Sequence, residues 1–195
     1  MGRWPHGKGL SRKHIMWQIR ESLKRLGIEY VDIYHAQLYD PETPKWEVMT
    51  AFNDLVRMGL TRYIGISNIP AQELVEYVMI AENLGLEPIA VLQYKYNLLE
   101  REIEKDIIPI AKKIGMGLAV YSLLAQGVLA GRYVDIKDRK WIVPILSRAI
   151  YYEGVWRYFT DEKLKKILHL IEFQRLREHP LTDSYSVGDQ NVQEL

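Results

Sequence analysis

A parallel α/β sheet is the fold class that this 195-residue sequence predicts, and three observations predict it. Short apolar runs alternate with stretches of helical periodicity. The ends of successive runs fall near Gln37, Ser67, Asn97 and Ser122, so each unit takes about 25 to 30 residues, the size that right-handed crossovers between parallel strands require. Glycines at 27, 59, 85 and 115 close each helical stretch before the next apolar run. An open doubly wound sheet and a closed eight-fold barrel both satisfy this rhythm. In either, ligands bind at the C-terminal ends of the strands.

The elements can be justified in order. Ser11 is placed to cap a first helix that carries Ile15, Ile19, Leu23 and Leu26 at helical spacing and stops at Gly27. Tyr30 to Gln37 reads as the first strand. Asp40-Pro-Glu-Thr-Pro44 reads as a turn, with Thr43 as N-cap and Pro44 as the first residue of a helix reaching about Met58, since the first turn has no use for the N–H that proline lacks. Thr61 to Ser67 is the second strand and Ala71 to Leu84 the next helix. Ile89 to Tyr94 is the third strand, Glu100 to Ile114 a helix, and Leu118 to Tyr121 the fourth strand. Beyond it, Gly127 and Gly131 bracket a turn whose backbone N–H groups suit an anion, although on local features alone a glycine-bracketed turn is more often only a turn. Thr160 can cap a last helix with Leu164, Ile167, Leu168 and Ile171 as its apolar face. That helix reads as an outer-layer element, and its basic residues Lys163, Lys165, Lys166, Arg175 and Arg177 leave a partner or membrane surface as the alternative.

Composition narrows the function classes. At 48% hydrophobic and 26% charged, the chain is long enough for one domain with a substantial core. Lys and Arg total 26 against 25 acidic residues, so no net field draws it to nucleic acid or an anionic membrane. It has no cysteine, which excludes disulfides and thiolate metal sites, and no metal site is expected. No apolar run approaches the about 20 residues of a membrane span, and Met1 to Leu10 lacks the apolar region of a secretory signal and opens like the middle of a loop. A soluble, cytoplasmic protein is expected.

Four segments carry a more specific signal: Gly9-Leu-Ser-Arg-Lys-His-Ile-Met16, Arg62-Tyr-Ile-Gly-Ile-Ser-Asn68, Gln93-Tyr-Lys-Tyr-Asn-Leu-Leu-Glu-Arg101 and Tyr121-Ser-Leu-Leu-Ala-Gln-Gly-Val-Leu-Ala-Gly131. Their wording, order and spacing resemble the aldo-keto reductase family. They are nearest the branch with bacterial and archaeal oxidoreductases and potassium-channel beta subunits. The resemblance is clear over residues 11–172, with 1–10 as a loop and 173–195 irregular, all within a single incomplete domain. It implies a partial TIM (β/α)8 barrel, about strands 4 to 8 with their helices, that binds NADP(H) and passes hydride to an aldehyde or ketone.

By position, the resemblance gives the nicotinamide carboxamide to Ser67 and Asn68 with help from Gln93, and the face of the nicotinamide ring to Tyr121. Ser122, Leu123, Leu124, Ala125 and Gln126 would line the pyrophosphate. Gly188 and Gln190, in a segment resembling the eighth strand and its phosphate loop, would add further cofactor contacts. The chemistry of the residues agrees: amides and hydroxyls fix a carboxamide, an aromatic face covers a flat ring, and small residues let backbone approach phosphate. An isolated Tyr121 would read as edge packing and an isolated Asn68 as a turn cap; the ordered match favours the cofactor role.

The chain also departs from the family. The implied tetrad is Asp, Tyr, Lys and His, with Tyr as proton donor. The first three belong on strands expected to precede this chain, and the pattern Tyr34-His-Ala-Gln37 puts Gln37 at the His position. His35 lies on the same strand face but about 6.6 Å away, too far to substitute, and reads as an interior histidine with its hydrogen bonds satisfied. Glu194 stands where the family usually has Gln, and a carboxylate there would oppose a 2′-phosphate, so NADP(H) affinity is expected to be weak or lost. The expectation is a catalytically inactive, truncated member of an oxidoreductase family. A nicotinamide-sensing or regulatory module, or a structural fragment of a damaged or misread gene, are the alternatives. With five strands at most, open sheet edges are expected to drive self-association. Trp4, Trp17, Trp46, Trp141 and Trp156 read as core packing, or as cover for those edges.

Overall fold

A computed structural model describes residues 9–177. They form two compact units: one comprises the chain up to Tyr94 together with Glu102–Tyr121, the other Lys95–Arg101 together with the chain from Ser122 onward.

The first unit is built by alternation. Helix α1 (Arg12–Leu26) precedes β1 (Val31–Ala36); α2 (Lys45–Arg57) leads to β2 (Thr61–Ser67), α3 (Ala71–Leu84) to β3 (Ile89–Lys95), and α4 (Ile107–Ile114) to β4 (Gly117–Tyr121). The strands lie in the sheet order β1-β2-β3-β4, with β1 parallel to β2 and β2 parallel to β3. The expected α/β fold with a parallel sheet is present, and β1 and β4 are its outer strands among the described residues.

Local chemistry sets the boundaries. Ser11 Oγ accepts from the His14 N–H at 3.4 Å, and Gly27 turns left-handed at φ 68°, which brings the Ile28 N–H back to the Leu23 carbonyl at 3.3 Å. Ile15, Ile19 and Leu23 are buried, whereas Leu26, expected on the same face, is exposed. Two expectations need correcting. Pro44 is the N-cap of α2 rather than its first helical residue, and Thr43 does not cap it, because the Thr43 hydroxyl donates to Asp40 Oδ2 at 2.7 Å. Burial opposes the Asp40 charge, but hydrogen bonds from Thr43, Leu10 and Glu42 outweigh it and hold the carboxyl below its ordinary pKa.

The second correction concerns α4. It starts at Ile107, capped by Asp106 Oδ1 on the Ile107 N–H at 2.6 Å, and only a short 3₁₀ turn at Glu102–Glu104 occupies the stretch before it. Pro109 is the reason: a helix from Glu100 would put it in the interior, without an N–H for the Lys105 carbonyl, whereas in the first turn that loss is harmless.

One sheet face is covered by helices. Phe52 of α2 packs on Tyr34 at 5.8 Å between ring centroids, and Ile64, Leu74, Tyr77 and Leu92 are essentially inaccessible. Strand alternation puts Ile33 and Tyr63, a register pair of β1 and β2, on the other face, where both are exposed.

In the second unit, a 3₁₀ turn (Ala125–Gly127) leads into a hairpin of β5 (Val134–Asp135) and β6 (Lys140–Trp141), then α5 (Arg148–Tyr151), a 3₁₀ segment (Glu153–Tyr158) and α6 (Asp161–Arg177). Elements this short carry no readable period, and sequence analysis missed β5, β6 and α5. The last helix is as expected: Thr160 Oγ1 accepts from the Lys163 N–H at 3.3 Å, and Ile167, Leu168 and Ile171 are buried against Val128, Leu129 and Tyr133. The tryptophans correct the core expectation, since Trp17, Trp46 and Trp156 are 51%, 57% and 50% exposed. Trp141 stacks on Phe159 with centroids 4.6 Å apart. No helix among the described residues is long and apolar enough to cross a membrane. Trp4, the expected eighth strand, Gly188, Gln190 and Glu194 lie outside the described residues.

Candidate functional site

The C-terminal ends of β2, β3 and β4 bring four of the expected residues together within the first unit. Strand register sets Ser67 opposite Gln93, and the buried Ser67 hydroxyl donates to Gln93 Oε1 at 3.2 Å. Asn68 continues the ladder by one bond, its N–H donating to the Gln93 carbonyl at 3.2 Å, and then turns left-handed at φ 54°. Asparagine tolerates that region better than most residues. The turn aims its side chain along the strand ends. Asn68 Nδ2 donates to the Gln37 carbonyl at 3.3 Å, and Asn68 Oδ1 accepts from the Tyr121 hydroxyl at 2.9 Å.

These bonds leave chemistry to spare. Among the described residues, Asn68 keeps a second amide hydrogen and a second lone pair, Gln93 keeps its amide hydrogens, and the Ser67 oxygen can still accept. Tyr121 is 39% exposed, which leaves part of its ring free to meet a flat group. Donors, acceptors and an aromatic face in one cluster form the complement of a planar amide on an aromatic ring.

Gln37 is exposed and follows the end of β1, so its backbone carbonyl, through Asn68, is what ties it to the cluster. His35 differs from expectation. Its buried Nδ1 has no hydrogen-bond partner among the described residues, and burial lowers the pKa of the ring. The imidazole lies over Gly65, where a Cβ would collide with it. It is packed but not satisfied.

The loop after β4 belongs to the second unit. Two glycines were expected to make its turn, and Gly127 and Gly131 do have positive φ. So do Ser122 (64°), Ala125 (47°) and Gln126 (64°), where a side chain costs roughly 1 to 2 kcal/mol per residue. Hydrogen bonds hold this conformation: Ala125 N–H to Ser122 O at 2.8 Å, Gly127 N–H to Leu124 O at 2.8 Å, and Gln126 Nε2 to Ser122 Oγ at 3.3 Å. Leu123 and Leu124 are half-buried between them. Gln126 Oε1 is buried with no partner among the described residues.

Sequence reasoning placed Asn97 only as a strand end and gave Glu100 and Tyr158 no role. In the structure Asn97 Nδ2 donates to the Ser122 carbonyl at 3.0 Å, and Glu100 accepts from Lys95 at 2.8 Å, from Tyr158 at 2.7 Å and from Arg157 at 3.4 Å. Burial first, and then the Glu100 hydrogen bond, push the Tyr158 hydroxyl up to about 12. The segment Asn97-Leu-Leu-Glu100 was visible only as part of a family resemblance. Nothing in its spacing shows that its polar ends meet Ser122 and Tyr158.

Comparison with known proteins adds the family. Residues 2–169 match the family model described as Aldo/keto reductase family. A probable voltage-gated potassium channel subunit beta of Oryza sativa subsp. japonica is 37% identical over 170 residues, 85% of this chain and 50% of that protein. Putative aryl-alcohol dehydrogenases of Schizosaccharomyces pombe and Saccharomyces cerevisiae are 42% identical over 130 residues and 36% identical over 165, covering 67% and 85% of this chain and 36% and 46% of theirs. The chain thus spans about half the length of these relatives, or less.

Proposed function

Because this chain belongs to the aldo/keto reductase family, we propose that it is the nicotinamide-holding portion of an NADP(H)-dependent oxidoreductase that acts on aldehydes or ketones. The observation that carries this reading is the Ser67, Asn68, Gln93 and Tyr121 cluster, whose amide and hydroxyl groups complement a carboxamide beside an exposed aromatic face. A bound nicotinamide would supply the hydride. Asn68 and Ser67 orient its carboxamide, Gln93 fixes Ser67, and Tyr121 covers the ring and excludes water from one side.

In the second unit, Ser122 to Gln126 are assigned the pyrophosphate. Gly188 and Gln190 are proposed as further contacts. The fold of the whole is proposed as strands 4 to 8 of a barrel, located in the cytoplasm and self-associating through the outer strands β1 and β4.

The reading includes no turnover by this chain. A carbonyl oxygen needs a proton as it receives hydride, and the family Tyr and its activating Lys have no counterpart among these residues. Gln37 does not titrate, and burial disfavours the charged form of the His35 ring. The same observation favours a second reading, a module that senses nicotinamide without chemistry.

Titration of the chain with NADPH and NADH, followed by nicotinamide fluorescence, tests both readings. Saturable binding in the high micromolar to millimolar range is expected, weakened by Asn68→Ala and Tyr121→Ala. Failure of either cofactor to bind, or binding indifferent to both substitutions, would remove the proposal.

A further inference from the structure

We propose that Asn97, held by Glu100 and Tyr158, is a positioning residue for the Ser122–Gln126 loop: it fixes the loop in the form that receives a pyrophosphate without touching the cofactor. The inference rests on the cofactor reading of that loop. It begins with Ser122, whose left-handed φ of 64° starts the unusual conformation and whose carbonyl accepts two donors, the Ala125 N–H at 2.8 Å and Asn97 Nδ2 at 3.0 Å. The first bond is internal to the turn and vanishes with it. The second comes from outside and constrains the turn.

A donor can hold a strained turn only if it is itself immobile, and Asn97 is. It is 5% exposed, and both ends of its amide are used: Oδ1 accepts from the Leu99 N–H at 2.9 Å, while Nδ2 also points at Glu100 Oε2 at 3.5 Å. Its backbone exchanges two hydrogen bonds with Glu100, Asn97 N–H to Glu100 O at 3.2 Å and Glu100 N–H to Asn97 O at 3.0 Å. The Glu100 carboxylate is clamped in turn by Lys95 Nζ at 2.8 Å, Arg157 at 3.4 Å and the hydroxyl of the fully buried Tyr158 at 2.7 Å. A buried phenol and two cations thus fix a carboxylate, the carboxylate fixes an amide, and the amide fixes Ser122.

An amide is the side chain this place requires. It must donate to one carbonyl while accepting from an N–H, and a carboxylate at 97 would instead face Glu100 and the Ser122 oxygen with like charge.

The test compares Asn97→Ala with the unaltered chain by two measurements. Amide hydrogen exchange reads the loop without any cofactor. Loss of Asn97 is expected to speed exchange of the Ala125, Gly127 and Leu129 N–H groups at least tenfold while leaving the Ile167 and Leu168 amides of α6 unchanged. NADPH titration is expected to show about tenfold weaker binding, with reduced nicotinamide mononucleotide, which has no pyrophosphate, affected less than twofold. Equal acceleration in the loop and in α6, or equal weakening of both ligands, would make Asn97 a general stability residue and overturn the proposal. Unchanged NADPH affinity in Asn97→Ala overturns the positioning role alone. An unaltered chain that binds no NADPH overturns the cofactor reading, and the positioning role with it. Should Asn97→Ala fail to fold, Lys95→Met, which removes one of the two cations on the Glu100 carboxylate, is expected to move the same loop amides and the NADPH affinity about threefold in the same direction, and no change in either overturns the proposal.

Discussion

The hydroxyl of Tyr121 donates to Asn68 Oδ1 at 2.9 Å, joining residues 53 positions apart. Asn68 also reaches back to the Gln37 carbonyl, so one carboxamide connects the ends of β1 and β4 past the strands between them. A half-exposed bond of this kind adds only about 0.5 to 1.5 kcal/mol to stability. Its larger effect is orientation, because it holds the aromatic ring and the amide at a fixed separation.

Tyr121→Phe therefore keeps the ring and loses the tether. Affinity for NADPH is expected to fall about threefold, against tenfold or more for Tyr121→Ala, which removes the stacking face as well. Titrations of both variants check this, and equal losses would assign the effect to the hydroxyl alone.

The purified chain is expected to oxidise no NADPH with a panel of aldehydes, and Gln37→His is expected to leave that result unchanged, because a histidine does not replace the missing Tyr and Lys. Turnover above background that disappears in Asn68→Ala or Tyr121→Ala would contradict it.

His35 gives the chain a pH signature. Burial lowers its pKa below the ordinary 6.5, so in the window below 6.5 the unfolded chain binds more protons than the folded one. Its contribution is complete above pH 6.5 and is lost as pH falls through the lowered value. The melting temperature is expected to drop between pH 7 and pH 5, and His35→Gln is expected to flatten that slope. An unchanged slope would remove His35 as its source.

Gly65→Ala puts a methyl group into the His35 ring and is expected to cost about 1 to 3 kcal/mol, with most of the loss recovered in Gly65→Ala combined with His35→Ala. Denaturant unfolding of the single and double variants measures the coupling. Strict additivity would mean that the ring does not occupy the space above Gly65.

The outer positions of β1 and β4 among the described residues lead to a fifth expectation: the chain sediments as a dimer or larger species, not as a sharp monomer. Sedimentation velocity decides it.

What could be read without coordinates followed from period and punctuation. β2 and α3 lie where the apolar runs and glycines placed them, because helical and strand periods there run for whole elements between clear stops. The start of α4 was misplaced although its signal was present, since Pro109 admits a helix only within a turn of itself. The hairpin at Val134–Trp141 left no such signal, as two-residue strands have no period. At the site, residue types at strand ends were legible, but their connections were not. The Asn68 to Tyr121 bond depends on a left-handed residue and a register set by strand pairing, and the Asn97 to Ser122 bond on chain segments 25 residues apart.

The β1-β2-β3-β4 order also bears on how the sheet is made. Each strand pairs with the next one in the chain, so no pairing has to wait for a distant partner, and the ribosome delivers the strands in the order in which they join. Within the described sheet, Thr61–Ser67 is made after its neighbour Val31–Ala36, and each later strand is likewise made after the strand it pairs with. β4, the last of these four in the chain, brings Tyr121 to an Asn68 made two strands earlier, so that hydrogen bond can close only after all four strands have left the ribosome.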